Sequence, residues 1–258
     1  MTLSPRLILM TIGVLFSQAN HAQPTVLIGA ENDWAPYSSS PDTGATGNGQ
    51  VQGFAVDLVR ASFAAKGIRA EFIALPFARC MLYAGNGRLL GCFNATITED
   101  NRLRYLWHQP PMFEEELSIF ARADAAGDKL GLADLRGHSV GYTNGYTYPT
   151  EFMQDTAIKK YSATSDQYLL KMLLSGRVDY ILLNRSPGYW RINGSPEFAG
   201  KAKRVGMISM DGFWIAFSKQ HPDGPRMTEL FGQGLAELRQ NGSYQRMLGE
   251  FRRKIGDR

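Results

Sequence analysis

Apolar and polar positions along this chain change period repeatedly, between a strand-like two and a helix-like 3.6. Short apolar runs of strand length stand at 25–30 (TVLIGA), 70–75 (AEFIAL), 89–95 (LLGCFNA), 115–122 (EELSIFAR), 138–142 (HSVGY), 178–184 (VDYILLN) and 212–219 (GFWIAFSK). Helical patterns lie between them. In 53–67, Phe54, Leu58 and Ala61 share a face with Val59 and Phe63 beside it, and Gly67 sits at the C-cap position. Residues 77–86 read as a helix closed by Gly85 and Gly87, 132–137 as a short helix with a glycine stop, and a helix starts at Thr150. Residues 165–176 carry a serine N-cap, periodic Leu and Met, and a terminating Gly176. Two more helices run from about Pro225 to the end, broken at Asn241-Gly242.

Strands alternating with helices predict an α/β fold of mainly parallel sheets covered on both faces. The grammar occurs twice: "GRLLGCFN" (87–94) and "GRVDYILLN" (176–184) each run from a helix through Gly-Arg into an apolar strand ending in Asn. Two similar α/β lobes follow from that echo. Small ligands bind beyond the C-terminal ends of strands in such sheets, where Asn94 and Asn184 both fall.

The N-terminus stands apart. Arg6, the apolar core Leu7–Phe16 and the small residues Ser17, Ala19 and Ala22 have the order of a secretory signal peptide over residues 1–22. No later run reaches the 18 apolar residues of a membrane-spanning helix, so an exported, periplasmic protein is expected. The 44% apolar and 20% charged residues are globular values and leave room for a core in each lobe. Net charge is +4, yet Lys and Arg are scattered without a basic run, so no nucleic acid partner is implied. Cys80 and Cys92, twelve apart in an exported chain, suggest a disulfide. The four histidines are isolated and show no metal-ligand spacing.

Catalytic patterns are missing: there is no Gly-x-Ser-x-Gly elbow and no phosphate-binding Gly-x-x-x-x-Gly-Lys-Ser/Thr loop. The acidic triplet Glu114–Glu116 reads as a solvated strand edge. Three loops leaving strands carry binding chemistry instead. The first holds Glu31, Trp34 and Tyr37, the second Asn94, Thr96, Thr98 and Arg102, and the third Thr143, Asn144, Tyr146, Thr147 and Tyr148. Hydroxyls and amides orient a polar ligand, aromatic faces cover it, and an arginine can grip a carboxylate with two parallel hydrogen bonds.

In order and spacing, "GAENDWAPYS", "GFAVDLVRASFAAKG", "GRLLGCFNATITEDNR", "LADLRGHSVGYTNGYT", "LLSGRVDYILLN" and "GLAELRQNGSYQRMLGEF" resemble the extracytoplasmic solute-binding proteins of family 3, the amino-acid-binding partners of ABC importers. The resemblance implies a two-lobed periplasmic-binding-protein fold joined by two hinge strands. It places residues 23–118 and 216–258 in lobe 1 and 119–215 in lobe 2. It also implies a monomer without cofactor, whose partners are a small polar carboxylate-bearing ligand and an inner-membrane ABC permease or a sensor receptor. By the same resemblance Arg102 holds the carboxylate with Asn94 and Thr96, Trp34 forms an aromatic lid, Thr147 and Tyr146 reach in from lobe 2, and Glu31 stands near the ammonium pocket. Arg79 is a further cleft candidate. Departures stand beside these matches: Arg102 comes one residue later than the family's arginine, making Arg104 a rival. Leu90 replaces a frequent Asp, and Asn184 stands where amino-acid binders place an acid. Some relatives are periplasmic dehydratases acting on cyclic carboxylates; by that alternative Glu31 would be the acid.

Overall fold

A computed structural model describes residues 23–40 and 51–256; the expected signal peptide lies outside them. The first lobe opens with β1 (Thr25–Glu31) and a two-residue hairpin of β2 (Asp33–Trp34) and β3 (Ser38–Ser39). Helix α1 (Phe54–Ala64) follows, then β4 (Arg69–Leu75), α2 (Phe77–Gly85), β5 (Gly91–Ala95) and the short β6 (Tyr105–Trp107). The apolar spacing read from the sequence is what α1 buries: Phe54, Leu58, Val59 and Phe63 all lie inside.

A long strand, β7 (Phe113–Arg122), then leaves for the second lobe. That lobe comprises β8 (Ser139–Thr143), α3 (Thr150–Gln154), β9 (Lys159–Ala163), α4 (Asp166–Leu174), β10 (Tyr180–Asn184) and α5 (Arg185–Gly194). The return strand β11 (Ala202–Ser218) leads to α6 (Gly224–Gln240) and α7 (Ser243–Ile255). Ser165 caps α4 as expected, its hydroxyl accepting from the Tyr168 amide at 3.4 Å.

The strands run in the order β4-β1-β5-β11-β7-β10-β8-β9, with β6 paired to β11. Pairing is parallel within each lobe, β1 with β4 and β5, β8 with β9 and β10. It turns antiparallel where β7 and β11 pass between the lobes. The apolar core divides at the same strands. Phe113 on β7 and Phe213 on β11 belong to the core packed under α1 and α6, whereas Leu117 and Val205 belong to the core around β8 and β10.

Several elements differ from the expectation. The helix expected at 132–137 is a single 3-10 turn over Leu132–Leu135. β9, with the exposed sequence KKYSA, is a polar edge strand whose pattern carries no apolar alternation. β11 starts ten residues before the expected 212 because its first half, AKRVGMISMD, lies on a part-exposed ribbon with two register shifts against β7. Helix α5, for which the sequence pattern carried no expectation, contains Pro187 and two glycines, poor helix formers, yet it buries Pro187, Gly188 and Ile192 against the second lobe.

Candidate functional site

The C-terminal ends of β1 and β5 face the loop after β8 and the end of β10 across a narrow cleft. Glu31, Trp34, Phe77, Asn94, Thr96, Leu117, Tyr146, Thr147, Asn184, Asp211 and Phe213 line it. The space left in it is about 30 Å³, room for roughly two water molecules. The lobes are therefore shut on one another.

Asn94 is the residue that local folding aims most clearly into this space. Along the β5–β11 pair, consecutive residues Trp214 and Ile215 oppose Ala95 and Phe93, so Asn94 is the extra residue of a bulge. Its φ of 66° is left-handed, a conformation that asparagine adopts more readily than other side chains. The residue is 4% exposed, and neither Nδ2 nor Oδ1 has a partner. A buried amide with both polar atoms unpaired is costly, and such a group calls for an explanation.

Glu31 ends β1 and is buried. Its carboxylate accepts a hydrogen bond from the Tyr146 hydroxyl of the opposite lobe. Burial pushes its pKa up to about 8, helped by Asp166 and Asp33 and opposed by the Tyr146 hydrogen bond and Arg191. Tyr146 also meets Phe77 edge-on, with ring centroids 5.9 Å apart. A second bridge lies beside them. Arg191 on α5 reaches over to Asp33, donating from Nη2 to Oδ1 at 2.8 Å and to the carbonyl at 2.6 Å. Its Nε stands 3.7 Å from buried Asp166, which Thr143 Oγ1 also supplies with a hydrogen bond.

Aromatic rings back the cleft. Trp34, 3% exposed, packs between Tyr37 at 4.8 Å and Phe213 at 5.0 Å. The disulfide Cys80–Cys92 ties α2 to β5, and so couples the element bearing Phe77 to the strand bearing Asn94.

Of the residues singled out in the sequence, Glu31, Trp34, Asn94, Thr96, Tyr146, Thr147 and Asn184 come together here. Asn184 donates to the Glu116 carbonyl at 3.4 Å. Tyr37 lies one layer behind, stacked on Phe113 at 4.5 Å with its hydroxyl donating to Glu115. The arginines are elsewhere. Arg102 is exposed and paired with Glu99 at 3.0 Å, Arg104 lies over the Tyr105 ring, and Arg79 is exposed on α2. Asn101 accounts for the outward turn of that loop: its side chain accepts from the Thr98 amide and donates to the Thr96 carbonyl, both at 2.8 Å. Phe77, Leu117, Asp211 and Phe213 join the cleft without having been singled out. Asp211 and Phe213 alternate on β11, which the apolar pattern began only at Gly212.

Two α/β lobes that bury polar groups of both in a shared cleft, connected by two crossing strands, define a binding protein of the hinged, two-lobed class. The chain belongs to the bacterial extracellular solute-binding proteins, family 3, whose model matches residues 26–253. It is 22% identical over 235 residues to the lysine/arginine/ornithine-binding periplasmic protein of Escherichia coli (strain K12), covering 88% of this chain and 87% of that one. Among solved structures, an ancestral arginine-binding protein bound to glutamine is similar with a TM-score of 0.74 at 24% identity, over 90% of this chain and 99% of that one. A histidine kinase sensor domain with similarity to periplasmic binding proteins reaches 0.76 at 24% identity, over 88% and 95%. These two likenesses speak for the fold.

Proposed function

We propose that this protein is a periplasmic receptor that captures a small polar solute by closing its lobes and hands it to an inner-membrane ABC permease. The observation that carries the reading is Asn94, whose buried amide has both polar atoms unpaired in a cleft lined from both lobes. Thr96 and Thr147 add hydroxyls from opposite sides, Trp34 and Tyr146 cover the ligand, and Glu31 and Asn184 complete its polar contacts. The hinge is assigned to the crossing segments of β7 and β11, where the cores of the lobes change over. A ligand shifts the open-closed equilibrium only by its different affinity for the two forms, so contacts from both lobes are the mechanism itself. The sequence of residues 1–22, read as a cleaved signal peptide, supports a periplasmic location. Among the described residues that line the cleft, no arginine supplies the carboxylate grip expected of Arg102.

A thermal-shift screen of the purified protein against amino acids, amines, sugars and small carboxylates tests the reading. One class should raise the melting temperature of the wild type and leave Asn94→Ala unmoved, while the variant keeps its circular dichroism spectrum. An equal response from the variant rules out the cleft as the binding site.

A further inference from the structure

The charges around the cleft are unbalanced. Glu31 and Asp211 line it, and Asp33 and Asp166 stand beside it. Against these four acids, the described residues set one cation at the same place, Arg191, which Asp33 and Asp166 already engage. Among the described lining residues there is no Lys, Arg or His. A carboxylate entering this space would be set among these acids in a buried site with room for little water, where repulsion is weakly screened. Burial raises the pKa of Asp166 and of Asp211, as it does that of Glu31, so a cation beside them would favour their ionised forms.

The remaining walls suit a positive group. Trp34, Phe77, Tyr146 and Phe213 all line the cleft, and aromatic rings attract desolvated cations. Carboxylates framed by aromatic rings form a site for an organic cation.

We infer, resting on the reading of this cleft as the ligand site, that the solute is an organic amine or guanidine that needs no carboxylate, its cation held between Glu31 and Asp211. In the closed form seen here the Tyr146 hydroxyl occupies Glu31; the ligand's N–H donors take that place when the lobes open and close again. Asn94 and the hydroxyls of Thr96 and Thr147 then orient the neutral part of the solute.

Titration calorimetry with matched pairs separates this from an amino-acid site: agmatine against arginine, cadaverine against lysine, with glutarate as the anionic control. The amines should bind roughly tenfold or more tightly than their amino acids, and glutarate should not bind. Glu31→Gln and Asp211→Asn, each verified as folded by circular dichroism, should each weaken amine binding by roughly tenfold. Binding of arginine or lysine without their amines overturns the inference and leaves the receptor standing. Binding of glutarate or of a neutral solute alone does the same. Wild-type amine affinity in both acid variants also overturns it. If no solute of the wider screen binds, the receptor reading falls as well.

Discussion

The hydroxyl of Tyr146 donates its hydrogen bond to the carboxylate of Glu31, 115 residues away in sequence and on the facing lobe. One side chain of each lobe thereby supplies the partner that the other needs once water is expelled from the cleft. Arg191 and Asp33 repeat the arrangement a short distance away. Closure is therefore written into particular polar pairs, and each can be perturbed separately.

Glu31 should make closure dependent on pH. Its pKa in the closed form is about 8, against an ordinary 4.5 once opening hydrates it. The groups facing it are the Tyr146 hydroxyl, Asp166, Asp33 and Arg191. A group whose pKa is raised in one form favours that form fully below its ordinary value, and the benefit disappears as pH climbs through the raised value. The ligand-free protein should thus expand between about pH 4.5 and about pH 8, read as radius of gyration in small-angle scattering. Glu31→Gln should reduce that pH response; an unchanged profile in the variant would place the titrating group elsewhere.

The path from sequence to site was uneven, for physical reasons. Strand ends at Glu31, Asn94 and Asn184 were legible because apolar runs stop there, and the chemistry at those ends followed. The bulge that turns Asn94 into the cleft depends on its register with β11 some 120 residues later, and no local pattern contains it. Asp211 lies in the part-exposed half of β11, whose pattern is mixed by the two register shifts. The family resemblance placed Arg102 in the clamp, one residue out of step with the family's spacing, whereas in the structure the two hydrogen bonds of Asn101 hold the loop with Arg102 on its exposed side.

Asn94 should show binding and stability moving in opposite directions. Glycine accepts a left-handed φ without penalty, and its introduction removes two buried, unpaired polar atoms. Asn94→Gly should stabilise the ligand-free protein by about 1 kcal/mol, or about 2–4 °C in melting temperature. The same change should lower solute affinity by roughly tenfold. A variant that loses stability instead would mean that the amide has a structural partner.

Arg102 should be dispensable. It is exposed and its ion pair with Glu99 spans one turn of surface loop, the kind of contact worth about 0–1 kcal/mol. Arg102→Ala should leave solute affinity within about twofold, and stability within about 0.5 kcal/mol. A larger loss of affinity in calorimetry would bring Arg102 into the cleft of the liganded form and restore a carboxylate to the solute.

Gly145 offers a way to hold the lobes apart without touching a polar group. Its φ is 83°, and a Cβ there would stand 3.2 Å from the Cβ of Ala78 on the opposite lobe. Gly145→Ala therefore carries two costs. The left-handed backbone costs about 1–2 kcal/mol whatever the lobes do. The contact with Ala78, by contrast, exists only when they are shut, so it disfavours closure specifically. The variant should melt somewhat earlier, scatter as a more open particle without ligand, and bind its solute more weakly chiefly through a faster off-rate. Restoring room on the other side separates the two costs: Ala78→Gly in the same chain should recover affinity and closure while leaving the loss in melting temperature. Recovery of neither would mean that the two residues do not meet in the closed form.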